Sequence, residues 1–224
     1  LFWISRFVGN GNTPDYMIKL VADIDINPGY VFNDDGTVLY DGEVVTDGWV
    51  EWDIIGNSQY AFNNYFYGNN HTISGIYVNS ESDYVGLFGV SNGAKICDII
   101  LENSYIKGNN YVGGICGHSY ESDITNCTNK AFVHGNKYVG GICGQAKRVN
   151  ILKCINEGNV TANTYAGGIC GYAGMYVGAE IYSNYITNCY NTGKISGNDN
   201  IGGISGIGII NVIDHCFNIG EITA

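Results

Sequence analysis

Proline and positive charge are scarce in this chain. Two prolines accompany 33 glycines in 224 residues, which excludes collagen, where glycine takes every third place and proline is abundant. A 45% hydrophobic content with 18 tyrosines excludes a disordered chain and can fill a core. Charged residues make up 14%, below the roughly 25% usual in soluble domains, so Asn, Ser, Thr, Tyr and Gly must cover the surface. Ten Lys and Arg stand against 21 Asp and Glu, and a net charge of -11 disfavours nucleic acid or an anionic membrane as partner. No window holds the roughly 18 uninterrupted apolar residues of a transmembrane segment, and no basic stretch leads into an apolar one as in a signal peptide. The start at Leu1 and stop at Ala224 read as a piece of something longer.

What the chain has is repetition. "YVGGICG" stands at 111–117 and again at 138–144, with "YAGGICG" at 165–171. Tyr84, Tyr111, Tyr138 and Tyr165 fall 27 residues apart, and the next copy, Asn200 with "IGGISG", follows 35 later. The extra eight residues lie within 172–185. With that insertion allowed for, columns align: Ile124, Ile151, Ile186, Ile213; Val133, Val160, Ile195, Ile222; Asn129, Asn156, Asn191, Asn218; and Asn109, Asn136, Asn163, Asn198. The first copy, "YVGLFG" at 84–89, is one residue shorter and regains it before Ile106.

Short β-branched runs separated by Gly and Asn, with no long stretch at helical spacing, predict an all-β solenoid of about 27 residues per coil. Equivalent residues then stack at about 4.8 Å, roughly eight coils fit the chain, and the rod is about 40 Å long. Asn columns at corners are expected to pass amide hydrogen bonds between coils and to tolerate left-handed backbone. Val112 and Ile115 have opposite parity in a plain strand, so both face inward only if Gly113 and Gly114 form a bulge.

"VGGICG" with "NCTNKAFVHGNKYVGG" around it, "VGLFG" at 85–89, and the upstream "YMIKLVADIDIN" at 16–27 and "WDIIGNSQYAFNNYFYGNNHTISGIYV" at 52–78 together resemble the GLUG-motif repeat domain. The resemblance implies a right-handed, single-stranded parallel β-helix of a bacterial surface or secreted protein. Such domains occur in adhesin-like proteins and in the non-catalytic region of immunoglobulin A protease-type metallopeptidases. It also implies that "LFWISRFVG" at 1–9 is a short N-terminal capping helix. The chain departs from the family at Asn64 and Tyr67, where Gly and Asp are common. The division expected is one continuous domain: cap and first coils over 1–83 with an inserted hairpin near 31–48, then repeat coils over 84–224.

Eight cysteines admit three readings. Cys116, Cys143 and Cys170 share one column, Cys127, Cys154, Cys189 and Cys216 another, and Cys97 stands outside. Parallel Cβ vectors make disulfides awkward between stacked coils, and C-x-x-C never occurs, so reduced packing thiols are expected ahead of disulfides or a metal site.

A catalytic site needs several groups converging within a few ångströms. Glu121 aligns with Arg148 and Ser183, Asp123 with Asn150, and Glu157 with Lys130 and Thr192; His71, His118, His134 and His215 share no column, and H-E-x-x-H is missing. No catalytic residue is assigned. The acidic stretch around Asp34, Asp35 and Asp41 reads as a solvated hairpin or as oxygen ligands for calcium; no other cofactor is expected. Tyr111, Tyr138 and Tyr165 form an aromatic ladder that is either structural or a binding surface, and the insertion adds Tyr172, Tyr176, Tyr182 and Tyr185 as candidate ligand-binding residues.

The function expected is a non-catalytic extracellular or cell-surface module, an adhesion or stalk element holding loops against a glycan or a surface protein. The alternatives are a carbohydrate-active β-helix enzyme using the acidic insertion and the accessory region of a surface metallopeptidase.

Overall fold

A computed structural model describes residues 17–174, 176–177, 180–181, 183–209 and 211–224. The expected capping helix at 1–9 and Tyr182 lie outside the described residues. Among those described there is no helix: the chain is an all-β solenoid of parallel, stacked coils.

Each coil lays strands on three faces, typified by the two short strands Asp123–Thr125 and Thr128–Asn129 on the first, then Phe132–Gly140, then Cys143–Lys147. The first face gathers 12 strands, the second seven and the third five. Register is set by the repeat. Ile124 pairs with Ile96 and Ile151, which leads on to Ile186 and Ile213; Val133 pairs with Ile106 and Val160, which leads on to Ile195 and Ile222. The short first copy shows as a shift, since Val85 pairs with Val112 at 27 residues but Phe88 with Cys116 at 28.

About five turns form, rather than the roughly eight that dividing length by period predicts. The N-terminal third spends chain elsewhere. Tyr30–Phe32, Val38–Tyr40 and Glu43–Val45 make a separate three-stranded antiparallel sheet, with Asp41 and Gly42 at φ 52° and 80° in the turn. This sheet docks on the second face, where Phe32 and Val38 bury against Tyr77 and Tyr105. Asn103 fixes it by donating from Nδ2 to Tyr30 O at 2.8 Å.

The glycine pair does what its parity demanded. Ile115 N and Cys116 N both donate to Ile142 O, at 3.1 and 3.0 Å, and this bulge leaves Val112, Ile115 and Cys116 all fully buried. The second glycine has a further reason. A Cβ on Gly114 would stand 2.4 Å from Asn129 Oδ1, and one on Gly141 2.2 Å from Asn156 Cγ. The paired glycines and the buried Asn column are therefore one device. Asn129 donates from Nδ2 to Asn156 Oδ1 at 2.8 Å, Asn156 to Asn191 at 2.6 Å, and Asn191 to Asn218 at 2.6 Å. Each amide also closes its own turn, as when Asn156 donates to Gly158 O at 2.7 Å. In the first coil Leu101 replaces the Asn and Leu87 replaces the glycine, both fully buried, so the polar device is exchanged for an apolar pair.

Left-handed backbone falls on other columns than the Asn columns expected. It occurs at Asp98, Asn126, Lys153, Asn188 and His215 on the first face, φ 50–59°, and at Tyr84, Tyr111, Tyr138 and Tyr165, φ 58–63°. Asn129 and Asn109 sit in extended strand or adjoining backbone and use their amides instead.

Candidate functional site

The tyrosine column turns each coil from the second face to the third. A bulky residue with positive φ is uncommon, and here it recurs four coils running. The rings stack: centroids lie 5.0 Å apart for Tyr84–Tyr111, then 5.1 and 5.1 Å down to Tyr165, with interplanar angles of 7°, 16° and 16°. Lys137 Nζ stands 4.6 Å from the Tyr138 centroid and 5.5 Å from that of Tyr165. Interior rungs thus have both faces covered by neighbouring rings and offer a ligand only their edges. At the fifth copy Asn200, φ 55°, takes the position. That Tyr-to-Asn exchange was the one signal in the sequence that the column is left-handed, since Asn is the residue other than Gly that best tolerates it.

Of the insertion tyrosines, Tyr172 is half-buried on the third face with its ring 5.2 Å from Tyr138, and Tyr185 is 49% exposed on the first face beside Asn150. The structure does not bring these two together. Tyr176 lies in a two-residue strand paired antiparallel with Glu180–Ile181.

The acidic residues separate too. Asp34 is spent on docking the antiparallel sheet: Oδ1 is 3.0 Å from His134 Nε2, and Oδ2 accepts from Asn159 Nδ2 at 2.8 Å. Its side chain nonetheless stays 43% exposed. Asp35 closes a turn with Thr37, whose N and Oγ1 donate to it at 2.9 and 2.7 Å and hold its pKa below the usual carboxylate range. Asp41 is exposed at the hairpin turn. Among the described residues no three His, Cys, Asp or Glu group as metal ligands would. Burial holds His134 below the ordinary imidazole pKa despite Asp34, and drives His118 down to about 4, with Lys147 adding to the effect and Gln145 opposing it.

Charges elsewhere pair from coil to coil. Arg148 meets Glu121, Lys130 sits between Glu102 and Glu157 at 3.7 and 3.9 Å, and Asn150 donates to Asp123 at 2.7 Å. The thiols are free: all but Cys216 are buried, and burial pushes Cys97 up to about 12. The outer Asn column is also a ladder, with Asn163 donating to Asn136 at 2.8 Å and Asn136 to Asn109 at 3.3 Å; Asn198 is exposed next in register.

What remains is a cleft at the N-terminal end of the tyrosine ladder, about 410 Å³ in volume, between residues 51–58 and 78–84. Trp52 is its rigid wall, 6% exposed and donating from Nε1 to Leu87 O at 3.2 Å. Sequence reading missed this site because it joins the segment before the repeats to their first tyrosine, two stretches no column connects.

Residues 108–131 match the GLUG motif, a span that runs through one bulge and one buried Asn. No curated protein matches the chain. A crystal structure described as that of a candidate immunoglobulin A1 protease from Bacteroides ovatus is similar over 92% of this chain and 69% of that one, at 19% identity and a TM-score of 0.49. The chain is an all-β solenoid, and the GLUG motif is matched at residues 108–131 of it.

Proposed function

We propose that the protein is a non-catalytic extracellular or cell-surface module, a stiff rod that holds non-repeated segments against a glycan or protein partner. One observation carries this reading: the side chains that recur from coil to coil are consumed in holding coils together. The Asn amides bond one another, the tyrosine faces stack, and Lys130 and Arg148 are paired along the axis. Among the described residues the docked sheet, the inserted loop and the 49–64 segment break the pattern, and a rigid scaffold with variable projections suits binding. A GLUG motif in a bacterial-type repeat supports the surface location.

The experiment is to incubate the protein with immobilised polysaccharides and host matrix preparations, measuring both retention and soluble reducing ends. Retention without cleavage is expected. Release of reducing ends would contradict the reading and favour a carbohydrate-active enzyme.

A further inference from the structure

We propose that the cleft beside Tyr84 is a binding site for a neutral pyranose-containing glycan, an inference that gives the binding role proposed above a location and a ligand class. Tyr84 is the first rung of the ladder. Tyr111 covers one face at 5.0 Å and 7°, and His118 meets its edge at 5.8 Å and 74°. Its other face carries no ring contact among the described residues, and the residue lines the cleft. An aromatic face fixed at its back by three further stacked rings cannot turn aside, so little ordering entropy is lost when a sugar's C–H face settles on it.

Around this platform stand groups suited to vicinal hydroxyls. Asp83 is clamped, its Oδ1 accepting from Asn109 Nδ2 at 2.9 Å and from Asn110 N and Nδ2 at 3.1 and 2.9 Å. Its second oxygen has no protein partner among the described residues. Asn57 Oδ1 is occupied by Gln59 N and Tyr60 N at 3.0 and 2.9 Å, which directs its amide N–H outward as a donor. Glu51 and Asn79 add further acceptors and donors to the lining.

Charge selects the ligand class. Among the described residues the lining contributes the carboxylates of Glu51 and Asp83 and no Lys or Arg, so sialic and uronic acids are repelled. These carboxylates are exposed, where an ion pair gains little, and a cationic ligand would leave the Asn donors unused. A neutral polyol uses acceptors, donors and ring face together.

The test is saturation-transfer NMR on the intact protein with short neutral oligosaccharides of glucose, mannose, galactose or N-acetylglucosamine, with a sialylated trisaccharide and lysine methyl ester as charged probes. Tyr84→Asn is the informative variant, because Asn200 already holds the same column position at φ 55°. At least one neutral oligosaccharide is expected to bind, with affinity falling about tenfold or more in Tyr84→Asn. Tyr65→Asn, a change at an exposed tyrosine on the first face outside the ladder and the cleft, should leave it unchanged. Glu51→Gln, an exposed and isosteric change, should weaken it about threefold without altering the fold. Binding equal in wild type and Tyr84→Asn would overturn the site while leaving the binding role intact. No neutral probe binding, or a salt-sensitive preference for lysine methyl ester, would overturn the ligand class.

Discussion

The last coil and the coil before it carry nearly the same core yet differ sharply in burial. Ile186, Cys189 and Ile195 are fully buried, whereas Ile213 and Ile222, the next residues in the same columns, are each 46% exposed and Cys216 is half-buried. Residue type and register are shared, so the difference comes from having neighbours on both sides or on one. Burial in this fold is supplied along the axis, and stability should follow nearest-neighbour rules.

The comparison predicts unequal costs for equal mutations. Ile186→Ala should lower unfolding free energy by about 3–4 kcal/mol and Ile213→Ala by about 1 kcal/mol, read from urea denaturation. Equal losses would show that the end coil is sealed in solution. The amide ladder sharpens the point. Asn156→Ala removes a partner from Asn129 and Asn191 inside the core and should cost about 2–3 kcal/mol, against about 1 kcal/mol or less for the half-buried Asn218→Ala.

Interior burial also creates a pH dependence. His118 titrates near 4 in the folded protein against about 6.5 unfolded, so the unfolded chain binds the extra proton first. Its contribution is fully present above pH 6.5 and is lost as pH falls from there toward 4, up to roughly 2–3 kcal/mol. His118→Gln should flatten that part of the curve while leaving the carboxylate-driven loss at lower pH. The smallest effect concerns thiol chemistry. In native protein Cys216 should be alkylated first and Cys143 and Cys154 only on unfolding, since burial drives both well above the usual thiol range. Mass spectrometry after timed iodoacetamide exposure reads this directly.

Much of the fold could be read from periodicity, because in a parallel stack a fixed sequence interval becomes a fixed spatial contact. Ile124 over Ile151, Asn129 over Asn156 and Cys116 over Cys143 needed only counting. The inward bulge followed from the parity of Val112 and Ile115. Elsewhere counting failed where the repeat stops. The three-stranded sheet at 30–45 docks through Phe32 and Val38, contacts with no counterpart in another coil among the described residues, and Asp34 reaches His134 and Asn159 across 100 and 125 residues of sequence. The left-handed tyrosines were hidden because their residue type argues against that backbone, and ring stacking outweighs local preference there. The cleft at Tyr84 was invisible for the first of these reasons.

The central claim is vertical registry, and methyl NMR tests it most directly. With isoleucine methyl groups selectively labelled, cross-peaks should link Ile124 to Ile151 and Ile151 to Ile186, residues distant in sequence and adjacent in the stack. If Ile151 instead showed contacts only to near neighbours in sequence, the coils would not be stacked as described and the account of both core and cleft would fall.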